Sequence, residues 1–600
     1  MTASLQRPVF MRMLPLTAIF LLLALLTLNR LGASDVCGGS EAAMAVYVQR
    51  MVEHDQLLFP LDNCTIPMYK PPLYHWTAVA LASLLREDAA TPVNLRLPSA
   101  LYAIGGAILT MAFAANLLGP WGANLAGLIL CGSYQYISQA RIGLVDMTLT
   151  FCETLALYTF FYWFALARKP GTAVRRRTLA HYLFAVAMGL GVLAKGPVGA
   201  LLPGAAILLF LLMEQEQHAL VKLFKPGPLI LGAALASSWY LTCAIGRRYD
   251  FLHLQVGVEN FGRFFGSLGA MPPWYYVQPL LLNSLPLSLF VPFAVITALF
   301  SRRVAQGPYS TVPLSPMASS SAEPDRSAIV TKPPAASASP RSTSAGTYSD
   351  SATLAVKQSA PIQPLSPALS PMQLDRAQLT TLAARLLAIF WLLSVIFFDF
   401  AAFKRRSYLL PLWPASAFLL AWWTVDHIIP MLSYRLGIIV YRAAISTCLF
   451  LAAANFLFIP AYELHGCGAP FNIASLFRWP SAGFAGESSS GQTESYRDAA
   501  AQINRLTSPG EALYSFGFQD ALEPLVFYLD RCAPLLRAPI SVPLNARIIA
   551  PANVWTRLSM RYPSLTPIAR IPYDHNPLLL LDSSAVATPN SDSALIITSH

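Results

Sequence analysis

Charge is scarce in this sequence. Acidic and basic residues together fill 12% of 600 positions, against about 25% in a soluble domain. Hydrophobic residues fill 55%, so a soluble fold of this length would lack the charges to cover itself. Cysteine is also sparse. Eight are scattered along the chain with no metal-type spacing. No internal repeat is visible, which counts against transporter folds built from repeated halves. The net charge of +11 does not point to nucleic acid. The basic residues cluster in short loops between apolar runs, as the positive-inside rule expects.

What the chain does have is apolar runs of bilayer length, about 20 residues each. Spans are expected at roughly 12–30, 97–117, 121–139, 146–167, 179–194, 197–214, 227–245, 276–300, 379–401, 407–425 and 436–459. The first follows Arg7 and Arg12 but has no clean small-x-small site after it, so it reads as an uncleaved helix. The expected fold class is an all-α polytopic membrane bundle of about eleven transmembrane helices with a small C-terminal α/β extramembrane domain. With the N-terminus cytoplasmic, the loop holding Arg168, Lys169, Arg175, Arg176 and Arg177 faces inward. So do Lys222 with Lys225, and Arg302 with Arg303. One cluster breaks the rule, because Lys404, Arg405 and Arg406 fall outside.

The expected domains are a membrane core over 1–302 with an outward loop at 31–96, and a Ser/Pro/Ala-rich disordered cytoplasmic insertion over 303–373. The remaining spans follow over 374–460, then an extracytoplasmic α/β domain over 461–582 and a polar tail over 583–600. In that domain Asp498 to Leu506 is an amphipathic helix. Ala512 to Phe516, Ala546 to Ala550 and Leu578 to Leu581 are buried strands. Cys37, Cys64, Cys467 and Cys532 lie outside, where disulfides survive. Cys37–Cys64 and Cys467–Cys532 are conceivable pairs, though spacing leaves the connectivity open.

Five segments carry groups suited to chemistry. The outward loop runs from Asp35 through Gly38, Gly39 and Glu41, then an amphipathic stretch to Val52, then Tyr69, Lys70, Pro71, Pro72, Tyr74, His75 and Trp76. The glycines let the backbone turn and seat Glu41 at a helix start. The prolines stiffen the chain after Lys70. Such a loop is equally an ordinary solvated connection. Asp146 follows Arg141 at the outer end of a span, where a carboxylate is costly unless paired, solvated or functional. Lys195 precedes a helix-breaking Gly196-Pro197 turn. Glu259 and Arg263 stand four apart, suited to a phosphate clamp or to a helical ion pair. Finally, cations at 404–406 on the disfavoured face are explained by a lipid phosphate there.

Taken in order, these segments resemble the GT-C membrane glycosyltransferases, in particular aminoarabinose transferases of lipid A and the protein O-mannosyltransferase-like group. Ser40-Glu41, Arg50-Met51 and the run from Met68 to Trp76 match the family's first loop. Arg96 to Ala100, Arg141 to Asp146, Leu193 to Pro197, Glu259 to Phe264 and Arg406 to Pro414 follow in register. The resemblance covers most of 10–460. It implies sugar transfer with inversion from an isoprenyl (undecaprenyl-type) phosphate donor to an envelope lipid, glycan or protein at the outer face of the plasma (inner) membrane. It implies a carboxylate base among Glu41, Asp146 and Asp35. Donor phosphate would be held by Lys70, Lys195, Arg263, Arg405 and Arg406, and acceptor or lipid by Tyr69, His75, Trp76 and Glu259. In that family a divalent metal ion sometimes assists. Two departures stand out. Ser40 occupies the place of the family's first acid, and serine is no base at neutral pH without help. Tyr69 stands where aminoarabinose transferases often carry glutamate. A flippase of lipid-linked glycan and a silent binding protein are the competing readings.

Overall fold

A computed structural model describes residues 16–36, 39–64, 66–168, 174–266, 269–282, 285–301, 375–465, 496–518, 523–529, 531–536, 546–563, 565–572 and 577–583. The expected insertion and polar tail lie outside these residues, apart from Ser583 at the edge of the tail. Among them, six helices are long and apolar enough to cross a membrane: Pro92–Leu118, Val145–Leu166, Val174–Lys195, Pro226–Ile245, Arg376–Phe400 and Tyr434–Ile459. A bent pair, Pro273–Leu282 with Leu287–Phe300, raises the number to seven. The chain is therefore a multi-pass membrane protein. The other predicted spans are helical but short. Leu16–Leu28 and Val198–Met213 have 13 and 16 residues. The run predicted at 121–139 breaks at Ser133 into Pro120–Gly132 and Tyr134–Ala140. The run at 407–425 becomes Leu412–Trp422 followed by a π-helical stretch, Trp423–Ile428.

Local chemistry explains the boundaries. Pro92–Leu118 opens with a capping box, in which the Thr91 side chain accepts from the Asn94 amide and the Asn94 side chain accepts from the Thr91 amide. Pro92 fills the first helical position, where its missing N–H costs nothing. Helices Val174–Lys195 and Val198–Met213 meet backbone to backbone. A Cβ on Gly199 would lie 2.2 Å from the Gly191 carbonyl oxygen, the close approach that small residues permit in membranes. Buried arginines satisfy helix ends that water cannot reach. Arg141 donates to the carbonyls of Leu26 (3.1 Å) and Asn29 (2.8 Å). At the opposite end of the bundle, Arg385 is ion-paired with Glu214 and donates to the Ser301 carbonyl at 2.6 Å.

The loop at 31–96 is more ordered than its composition suggests. It holds the helix Gly39–Glu53, a two-residue hairpin of β1 (Leu61–Asp62) with β2 (Ile66–Pro67), and the helix Leu73–Leu85. The C-terminal segment forms a five-stranded sheet from β3 (Leu513–Phe516), β4 (Leu535–Leu536), β5 (Arg547–Pro551), β6 (Thr566–Ile571) and β7 (Leu578–Asp582), in the order β4-β3-β5-β7-β6. Strand β3 pairs parallel to β4 and β5, while β7 pairs antiparallel to β5 and β6. Alternation sorts its side chains. Ile548, Ala550, Leu579 and Leu581 pack towards helix Ala552–Arg561. Leu513, Ile549, Leu578 and Leu580 join a cluster that includes Ala499, Ile503, Leu525 and, from the first loop, Ala42, Ala45, Val46 and Val48.

The sheet therefore docks on the first loop, and a disulfide crosses that seam. Cys64 bonds to Cys532, 468 residues away, with a Cα separation of 5.9 Å. The Asn63 amide group brackets the Ala533 backbone at 2.8 and 2.7 Å. This corrects both pairings entertained from spacing, which kept each bridge within one segment. Cys37 and Cys467 fall outside the described residues. Cys64→Ser is expected to lower the stability of the purified protein by about 2–4 kcal/mol, read as a drop in Tm. Peptide mapping without reductant should yield a cross-linked Cys64–Cys532 pair that dithiothreitol dissolves.

Candidate functional site

A small, partly open cavity lies where the predicted segments converge. It is lined by Ser40 and Met44 from the first loop helix, Tyr69 and Lys70, Leu144 to Asp146, Lys195, Arg263, Arg405, Ser407 and Tyr408. Each reaches it by a distinct local device. Asp146 lies in the first turn of Val145–Leu166, and Lys195 is the last residue of the antiparallel neighbour Val174–Lys195. The two are ion-paired. Gly196, at φ +91°, turns the chain immediately afterwards. A Cβ there would lie 2.6 Å from the Gln255 Nε2, so glycine also lets the next element lie close. That element is a π-helix, His253–Gly262, a rare geometry that is frequent at functional sites.

The π-helix sets Glu259 between two cations. Glu259 is ion-paired with Lys70, and its other oxygen accepts from Arg263 at 2.7 Å. Arg263 also donates to the Tyr408 hydroxyl at 3.1 Å. Lys195 lies 4.5 Å from the centre of the Tyr408 ring, a cation–π distance. Backbone pairing holds the two outer segments together, with the Phe403 amide donating to the Arg263 carbonyl at 3.1 Å and the Ala402 amide to Phe264 at 3.0 Å. Arg405 donates to Ser40 Oγ at 2.8 Å.

Electrostatics follow from this crowding. Burial lowers the Lys70 ammonium to about 8, against the pull of Glu259, and the nearby Arg263 and Lys195 repel it further. Burial alone would raise the Glu259 carboxyl, but Lys70 and Arg263 hold it below the ordinary range. Burial raises the Tyr69 phenol, so it stays neutral.

The architecture matches solved structures closely enough to decide the fold. The crystal structure of ArnT from Cupriavidus metallidurans bound to undecaprenyl phosphate superposes with a TM-score of 0.65 at 16% identity, covering 96% of this chain and 99% of that one. The fold is GT-C. The archaeal oligosaccharyltransferase AglB from Archaeoglobus fulgidus, in complex with an inhibitory peptide and a dolichol-phosphate, gives a TM-score of 0.51 at 12% identity, covering 90% of this chain and 70% of that one. The dolichyl-phosphate-mannose-protein mannosyltransferase family matches over residues 43–231. An uncharacterised protein of Aquifex aeolicus is 28% identical over 274 residues, 46% of this chain and 52% of that protein. The undecaprenyl phosphate-alpha-4-amino-4-deoxy-L-arabinose arabinosyl transferase of Aeromonas salmonicida is 27% identical over 185 residues, 30% of this chain and 32% of that protein. The chain thus spans about half the length of these curated relatives or less.

Within the GT-C fold the predicted residues divide. Lys70, Asp146, Lys195, Arg263, Arg405 and Tyr69 share the cavity, with Glu259 bonded behind it. Glu41 points elsewhere. Its two oxygens accept from Arg96 at 2.8 and 3.0 Å, and one also accepts from the Gly143 amide at 2.8 Å. Asp35 bonds to Arg497 at 3.2 Å, at the seam with the C-terminal sheet segment. His75 is packed edge-on against Tyr47 and Tyr74, and burial lowers its imidazole to about 3. Trp76 donates to the Leu57 carbonyl at 2.9 Å. Arg406 does not line the cavity, though its carbonyl accepts from Gln135 at 2.6 Å.

The cluster that broke the charge rule has divided labour. Lys404 donates to the carbonyls of Asp399 (2.6 Å) and Ala401 (2.7 Å), closing helix Arg376–Phe400, while Arg405 alone of the three lines the cavity. Tyr408, to which the sequence assigns no role of its own, stands two residues after that cluster and bridges Arg263 and Lys195. Because the Lys70 charge is lost as pH rises through about 8, binding of sulfate, whose own charge is constant there, should weaken across that pH. Lys70→Arg should remove the step. Calorimetric titration at a series of pH values checks both.

Proposed function

We propose that this protein is an integral-membrane glycosyltransferase. It moves a sugar from an isoprenyl phosphate donor, of the undecaprenyl type, to a cell-envelope lipid, glycan or protein acceptor. The observation that carries this is the convergence of Lys70, Lys195, Arg263 and Arg405 on one cavity that holds a single lining carboxylate, Asp146. A site with that balance is built to receive an anion, and arginine and lysine are the usual partners of phosphate oxygens. Undecaprenyl phosphate is bound in the ArnT structure of the same fold, which supports this donor class. The lysine and arginine loops support an orientation with the cavity at the outer face of the plasma membrane and the N-terminus inside.

In the proposed reaction the donor phosphate takes its place among the four cations. The acceptor oxygen attacks the anomeric carbon from the opposite face, and the bond from that carbon to the phosphate oxygen breaks. The electron pair leaves on the phosphate, where the cations stabilise the charge that develops. The acceptor proton passes to Asp146, the carboxylate that lines the cavity. Docking of phosphate on Lys195 draws that ammonium from Asp146 and frees the carboxylate for this role. Tyr69 and Tyr408 wall the site and help exclude water.

We assign no divalent metal to this cavity, because both nearby carboxylates are ion-paired in the state described. Asp146 is taken up by Lys195, and Glu259 by Lys70 and Arg263. Among the described residues no group of three or more His, Cys, Asp or Glu side chains could hold an ion. No step is assigned to one.

Asp146→Asn should reduce sugar transfer by about 10²–10⁴-fold while leaving undecaprenyl phosphate bound. Labelled sugar transfer in membranes, with lipid binding by the purified variant, measures the two separately. Unchanged transfer in this variant would remove Asp146 from the reaction.

A further inference from the structure

The cavity's charge balance bears on which sugar it admits. Three of its four cations are ion-paired, two of them with the same acid. Lys195 has Asp146, and Lys70 and Arg263 share Glu259. Arg405 forms no direct ion pair among the described residues, although its charge is felt at Asp146. It lies 5.5 Å from the centre of the Phe403 ring and donates to the neutral hydroxyl of Ser40. Four cations therefore face two carboxylates. The nearby acids do not change the count at the cavity wall. Glu41 is bound by Arg96, and Glu153, two turns along from Asp146, does not line the cavity.

A sugar phosphate diester brings one negative charge, which leaves one positive charge unmatched in a buried site. An ammonium added to that surplus is repelled, and the one carboxylate that lines the cavity, Asp146, is committed first to Lys195 and then, in the proposed reaction, to the acceptor proton. Several relatives are named for 4-amino-4-deoxy-L-arabinose, a sugar that carries such an ammonium at neutral pH. We infer that the sugar this protein takes is neutral or acidic and that amino sugars are rejected, with Ser40 and Arg405 as the deciding pair. This rests on the proposed transferase reading. The surplus charge at Arg405 is then available to an oxyanion, either a carboxylate on the sugar or a phosphate on the acceptor.

The test is competitive binding to the purified full chain in nanodiscs. The probes are undecaprenyl phosphate-linked L-arabinose, its 4-amino-4-deoxy counterpart and an undecaprenyl phosphate-linked uronic acid. The first two differ only by hydroxyl against ammonium. The neutral lipid should bind at least about tenfold more tightly than the amino lipid. Ser40→Asp, which supplies Arg405 with a counter-charge, should shrink or reverse that ratio. Arg405→Gln should shrink it without adding an acid, and serves if the first variant does not fold. Tighter binding of the uronic acid lipid than of arabinose places the oxyanion on the sugar; equal binding leaves it to the acceptor, and both agree with the inference. Equal or tighter binding of the amino lipid by the unmodified chain overturns it. If neither these lipids nor undecaprenyl phosphate binds, the transferase reading itself fails and this inference falls with it.

Discussion

The guanidinium of Arg96 organises the cavity end of the molecule. It is buried at the start of a long membrane helix, where an unpaired cation would be costly. It is satisfied by the Glu41 carboxylate, by the carbonyls of Leu31, Ser34 and Asp35, and by the Ser34 hydroxyl. One side chain thereby holds both ends of the turn that leads into the first loop helix. Glu41 extends the hold to Gly143, just ahead of Asp146. With that helix fixed, Ser40 faces Arg405, and the hydrophobic residues from Ala42 to Val48 present a surface for the C-terminal sheet. Breaking such a buried pair by removing one partner strands the other, so the seating of the first loop helix depends on it.

The cations of the cavity are tolerable for a related reason. Each sits at a helix end or on a segment pinned by backbone bonds, so its charge is oriented by structure laid down elsewhere. Lys195 closes one helix, Asp146 opens its neighbour, and Arg263 leaves the π-helix beside the strand-like contact with Phe403. The aromatic rings of Phe403 and Tyr408 offer electron-rich faces to Arg263, Arg405 and Lys195. A pre-oriented array of this kind suits a reaction in which the main demand is to stabilise charge leaving on phosphate.

Much of this was legible in the sequence because membranes enforce simple patterns. Apolar length located the six long spans, and loop charge isolated Lys404 to Arg406 as an anomaly worth explaining. The five segments chosen for their unusual chemistry do meet. What composition could not show was direction. Glu41 and Asp146 look alike in sequence, each an acid at a helix start. Only the fold reveals that Glu41 is turned onto Arg96 and Asp146 onto Lys195. Long-range partners were equally hidden, as with Cys64 and Cys532. Strand runs such as Leu578 to Leu581 were readable from their continuous burial, whereas the two-residue β4 and the helix Ala552–Arg561 carried no comparable signal.

The bridge from Cys64 to Cys532 also has a temporal meaning. A ribosome delivers the first of these cysteines 468 residues before the second. The loop that contributes Ser40, Tyr69 and Lys70 therefore waits, through the synthesis of every later span, for the segment that packs against it. Its hydrophobic face stays uncovered in the interval. Covering of that face is accordingly a late event in biogenesis, and a truncated chain that inserts all its helices would still leave it bare.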